Sequence, residues 1–84
     1  MSWSDYARDN RSQLGLAMET TVHAYLSDYA FEVRCNEYLM PEKVARLILI
    51  EQCGTRWETW LVEAGWQVGQ EFEVSGDIFI KRVQ

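Results

Sequence analysis

Residues 55–84 read TRWETWLVEAGWQVGQEFEVSGDIFIKRVQ, and this stretch decides the fold. Thr55 and Glu58 stand at the S/T-x-x-E spacing of a capping box, in which each side chain satisfies one free backbone N–H at a helix start. Trp57, Trp60, Leu61 and Ala64 follow at i, i+3, i+4 and i+7, one apolar helical face. Trp60 is expected in the core, where truncation to alanine would cost about 3–5 kcal/mol. Gly65 is placed as a left-handed stop, with Trp66 folding back over the last turn. Phe72 and Val74 then alternate with Glu71 and Glu73, Ser75-Gly76 offers a turn, and Ile78 and Ile80 alternate with Asp77, Phe79 and Lys81. Alternation of this kind is the two-residue period of a strand, so the segment reads as a helix followed by an antiparallel β-hairpin.

Upstream of this unit, PEKVARLILIEQCG (residues 41–54) supports two readings. As a helix it starts at Pro41, lays Val44, Leu47 and Ile48 on one face and stops at Gly54. As a strand it is Arg46–Glu51, an apolar run buried on both faces. The Pro and Gly punctuation favours the helix. Before it, Phe31, Val33 and Cys35 alternate with Glu32 and Arg34 as a short half-buried strand, and residues 36–40 read as a loop. At the start of the chain, Ser2 or Ser4 caps a helix expected from about residue 4 to 30, with a bend near Gly15. Its stripe is Leu14, Met18, Val22, Tyr25 and Tyr29. A strand over Thr20–Leu26 competes, because Val22, Ala24 and Leu26 also alternate. The expected fold class is α+β: a long N-terminal helix, one or two central helices and a C-terminal antiparallel hairpin packed on them in one domain.

At 84 residues the chain has a thin margin of stability, although 48% of its residues are apolar, enough for a core. The net charge is −5, with acidic residues spread through both halves. Attraction to a nucleic-acid backbone is therefore weak, and the acidity suits solubility first and a basic partner second. The longest continuous apolar run, Leu47–Ile50, is far too short to span a bilayer, so no membrane association is expected. MSWSDYARDN lacks the apolar stretch of a secretory leader, and Cys35 and Cys53 form no CxxC, which points to the cytoplasm and to two free thiols.

Residues that could carry chemistry are sparse. His23 is the only histidine; with Ser27 and Asp28 it would need an activated nucleophile in reach to act as a base, and a local polar contact accounts for it as well. His23, Cys35 and Cys53 make at most three metal ligands at irregular spacing. Glu71, Glu73 and Asp77 alternate with apolar residues as the solvent face of a hairpin does. No catalytic residue, cofactor or metal is expected. The four Trp and four Tyr are the stronger lead, since surface aromatics beside acidic groups mark protein contacts. The candidate binding residues are Trp3, Tyr6, Tyr25 and Tyr29 together with the acidic Glu71, Glu73 and Asp77.

Trp60-Leu61, Ala64-Gly65-Trp66, Gly69, Phe72-Glu73-Val74, Ile78 and Ile80 resemble the C-terminal unit of the SymE-type toxins, W-L-x-x-A-G-F-x-x-G-x-x-V-x-V, whose fold is related to the AbrB-like swapped-hairpin domains. The resemblance covers residues 60–80. It implies an intertwined dimer acting as a toxin or regulator on nucleic acid, with Trp60, Leu61, Ala64 and Trp66 as packing residues and Gly65 and Gly69 as turn residues. The chain is acidic where such a protein presents a basic face. The first functional expectation is thus a small acidic non-catalytic binding protein that regulates or inhibits a larger protein, such as a nucleic-acid-handling enzyme. A SymE-like toxin or dimeric nucleic-acid-binding regulator is the alternative, and a homodimer is a further option.

Overall fold

The alternating stretch YAFEVRC forms the central strand of the protein. The computed structural model describes residues 19–84. The strands are β1 (Val22–Ala24), β2 (Tyr29–Cys35), β3 (Tyr38–Leu39), β4 (Glu71–Ser75) and β5 (Ile78–Arg82). Between β3 and β4 lie the helices α1 (Glu42–Cys53) and α2 (Trp57–Glu63). All pairings are antiparallel, in the order β1-β2-β5-β4, with β3 also pairing β2. Phe31, Val33 and Cys35 point to one face, where they meet Ile78 and Ile80 of β5 and Ala45, Ile48, Leu49, Trp57 and Leu61 of the helices in one buried cluster. Glu32, Arg34 and Lys81 occupy the other face.

The long N-terminal helix expected over residues 4–30 is overturned. Its first part, to residue 18, lies outside the described residues; its second part is a hairpin. Val22 pairs with Phe31 and Ala24 with Tyr29, and both Val22 and Ala24 are buried. Between them Tyr25, Leu26 and Ser27 hold φ of 51°, 58° and 73°, three successive left-handed residues that reverse the chain. The physical reason is the competing alternation. Pairing with β2 buries Val22 and Ala24 against a sheet, which no isolated helical stripe offers. Tyr25 and Tyr29, four apart, stack edge to face across this turn at 6.2 Å rather than along a helix.

Residues 36–40, read as a loop, contain the turn at Asn36 (φ 51°) and the two-residue β3, and Met40 returns its N–H to Val33 O at 2.8 Å. The segment after Pro41 takes the helical reading and stops at Gly54, whose N–H reaches Ile50 O at 2.9 Å. Its buried face is Ala45, Ile48 and Leu49, while Leu47 is 58% exposed, a rotation of the expected face.

The capping box at Thr55 and Glu58 does not form. Gly54 O takes the N–H of Trp57 at 3.1 Å in a tight turn, Arg56 is the N-cap, and no side chain caps the helix. Glu58 instead accepts the backbone N–H of Tyr25 at 3.4 Å. α2 is only seven residues long, so its buried stripe narrows to Trp57 and Leu61. Trp60, expected in the core, is 41% exposed, and Ala64 is exposed as the C-cap. Gly65 is left-handed (φ 71°) as expected and turns Trp66 back into the core at 8% exposure.

Candidate interaction surface

Among the described residues β4 is an outer strand of the sheet, and the aromatic side chains around it form a chain that runs from core to surface. Phe31 is fully buried and meets the buried Trp66 edge to face at 6.0 Å. Trp66 contacts Phe72 of β4 at 5.5 Å and Trp60 of α2 at 6.4 Å, and Trp60 and Phe72 contact each other at 5.7 Å. The last two rings stand 41% and 44% exposed. Offset and edge-to-face contacts of this kind hold rings in place beyond the gain from area alone.

The ladder explains why Phe72 is there. Val33, Ile80 and Phe72 form one row across β2, β5 and β4 on the helix-covered face. The row is buried at Val33 and Ile80 and runs out at Phe72 because no further strand pairs with β4 among the described residues. The turn before β4 is fixed by backbone bonds: Gly69 N–H to Arg82 O at 2.6 Å and Gln70 N–H to Gln67 O at 3.0 Å. Arg82 also donates to Trp66 O, tying the loop to β5.

On the opposite face the rows are Glu71, Lys81, Glu32 and Glu73, Phe79, Arg34. Arg34 lies over the Phe79 ring at 4.7 Å and donates to Glu71 at 2.9 Å. Glu73 is exposed, and its cross-strand neighbour is an aromatic ring rather than a cation. A shallow depression beside the aromatic group is lined by Cys53, Arg56, Thr59, Trp60 and Glu63.

The structure separates the residues singled out from sequence. Trp3 and Tyr6 lie outside the described residues. Tyr25 is 41% exposed and its hydroxyl meets Thr59 Oγ1 at 2.9 Å, one residue from Trp60. Tyr29 is half-buried with the Arg82 guanidinium 4.9 Å over its ring. Glu71 and Glu73 lie on the outer strand, whereas Asp77 is in the β4–β5 turn at the far end, where its carbonyl accepts from Asn36 N at 2.8 Å. Phe72, Trp60 and Leu26 were not singled out as contact residues. Leu26 is 100% exposed at the tip of the left-handed turn. The only sequence signal for Phe72 is its alternation in EFEVS, which reads equally well as a core position.

His23 lies on β1, with Nε2 3.8 Å from Glu19 Oε1 and its carbonyl accepting from Arg46 Nη2 at 3.3 Å. Ser27, with its left-handed backbone, sits in the turn and not one helical step away from it. Burial, with the Asp77 carboxylate adding to it, pushes the Cys35 thiol up to about 11, and burial also raises Cys53. Both cysteines are free thiols. Among the described residues no group of three or more His, Cys, Asp or Glu side chains is placed to hold a metal ion. No helix among them is long and apolar enough to cross a membrane.

No family model, curated protein or solved structure matches the chain. Of the residues that carry the likeness to the SymE-type unit, Leu61 and Trp66 are buried and Gly65 and Gly69 are left-handed, whereas Trp60 and Ala64 face solvent.

Proposed function

We propose that this chain is a small acidic, non-catalytic binding protein that works in the cytoplasm by engaging and regulating or inhibiting a larger protein with a basic surface, such as a nucleic-acid-handling enzyme. The observation that carries this reading is the Trp60–Phe72 pair, two large rings held half-exposed on a buried Trp66. Holding apolar rings in water forgoes burial worth about 25 cal/mol per Å². A rigid aromatic group at a surface is what a central interface contact requires, because little side-chain entropy is lost when a partner covers it. The surrounding charge fits a basic partner. Glu63 and Arg56 balance in the depression beside Trp60 and Glu71 is held by Arg34, so the local acidic group is Glu73 next to Phe72, and the whole chain carries −5. Long-range attraction of this sign speeds encounter and is screened by salt.

The test is a tagged pull-down from native extract, with and without nuclease, run in parallel with the Trp60→Ser/Phe72→Ser variant. One stoichiometric protein that survives nuclease and is lost by the variant supports the reading, provided the variant keeps a cooperative thermal transition. Capture that depends on nucleic acid, or capture of nucleic acid alone, overturns it.

A further inference from the structure

From the strand order and the side-chain pattern of β4 we infer that the partner contributes an extended segment of alternating apolar and basic residues, which pairs with the open edge of β4 as an added strand. This rests on the binding-protein reading above and specifies how the contact is made. Among the described residues β4 pairs only with β5, and alternate residues of an outer strand turn their N–H and C=O groups away from the sheet, ready to pair with another chain. The two faces of that edge differ. On the helix side an incoming residue meets Phe72 beside Trp60, a hydrophobic seat. On the other side it meets Glu73, whose cross-strand neighbour is Phe79 and not a cation, a seat for lysine or arginine, while Glu71 on the same side is already held by Arg34 at 2.9 Å. A strand presents its side chains to the two faces in turn, so the matching segment alternates apolar and basic residues. The irregularity between Glu73 and Ser75 ends regular pairing, which limits the docking window to Glu71–Glu73.

The same charges argue against a second copy as occupant. Antiparallel pairing of β4 with itself about Phe72 would set Glu71 opposite Glu73 twice, and like charges directly opposite destabilise a ladder. Each copy also carries −5, so the long-range field opposes self-association.

The probes are two capped synthetic peptides of opposite charge, (Lys-Val)4 and (Glu-Val)4, added to the full chain. Amide hydrogen exchange is followed residue by residue and affinity by tryptophan fluorescence. The expected result is slowed exchange in residues 71–73 with (Lys-Val)4 alone, and binding that weakens as salt rises. Glu73→Lys, a solvent-exposed substitution, should weaken the basic peptide about fivefold, the size of reversing one cross-strand charge pair, and should turn preference towards the acidic peptide. Absence of protection at 71–73, equal response to both peptides, or affinity unchanged by Glu73→Lys overturns the inference. So does sedimentation showing a dimer whose β4 amides are protected without peptide, which would make a second copy the occupant. A protein captured by pull-down with a silent β4 removes the added strand and leaves the binding-protein reading standing. Failure of all protein capture removes that reading itself.

Discussion

Replacing Trp57 and Trp60 by alanine, one at a time, tests the central packing of the protein. The two residues are three apart on a seven-residue helix, yet Trp57 is 5% exposed and Trp60 41%. A tryptophan side chain offers about 150–250 Å², and covered apolar area is worth about 25 cal/mol per Å². The covered part of Trp57 then corresponds to about 4–6 kcal/mol, overlapping the range of about 3–5 kcal/mol for large aromatics cut to alanine in a core. The covered part of Trp60 corresponds to about 2–4 kcal/mol, and residual burial in the unfolded chain lowers the figures for both residues by about 10–40%. Water also fills the space left by Trp60, so no cavity cost is added. Chains of this size are stable by about 4–12 kcal/mol, so Trp57→Ala should remove a third or more of the total and Trp60→Ala distinctly less. Urea unfolding read by far-ultraviolet circular dichroism measures both, with Trp57→Phe as a milder variant if Trp57→Ala fails to fold. Equal shifts, or a larger loss at Trp60, would show that α2 packs with a different face inward and would remove the exposed aromatic pair on which the proposed function stands.

Further expectations concern the cysteine and the strained turn. The Cys35 thiol is raised in the folded state from 9.0 to about 11 by burial and by Asp77, so it favours folding fully below pH 9 and loses that contribution as pH rises towards 11. At 1.36 kcal/mol per unit the loss is about 2–3 kcal/mol. It should appear as a fall in urea midpoint across that window that is smaller in Cys35→Ala, and parallel profiles for the two proteins would contradict it. Leu26 has no covered surface to lose and sits at φ 58°. Leu26→Gly should therefore stabilise by about 0.5–1 kcal/mol, the left-handed penalty of an L-residue less the added freedom of glycine in the unfolded chain. A lower melting temperature for this variant would mean that Leu26 is packed or that the turn is differently shaped.

Where local chemistry and burial agreed, the order of elements was legible. Strand β2, the helix from Pro41 to Gly54, the left-handed Gly65 and the terminal hairpin all follow from alternation, punctuation and turn residues close together in the chain. The β1–β2 hairpin did not, because Val22, Ala24 and Leu26 satisfy a two-residue period while Val22, Tyr25 and Tyr29 satisfy a helical one. Pairing with β2, which β5 from the far end of the chain holds in the sheet, chooses between them. The cap of α2 was misread for a related reason. Thr55 and Glu58 have the spacing, but Gly54 O satisfies the N–H of Trp57, and Glu58 is drawn to Tyr25 across the fold.

The candidate site depended still more on tertiary structure. That Trp60, Trp66 and Phe72 are aromatic and Glu71 and Glu73 acidic is written in the chain, and so is the period that separates Phe72 from its neighbours. Whether Phe72 is core or surface depends on whether another strand lies beyond β4, and strand order is a property of the whole sheet. Trp60 is set outward because the short α2 turns Trp57 and Leu61 into the core cluster with Phe31 and Ile48. By itself the sequence determined composition, charge and the local grammar of turns, because those depend on neighbours in the chain. Only the tertiary structure decided which apolar residues remain in water, because burial depends on partners brought from far along it.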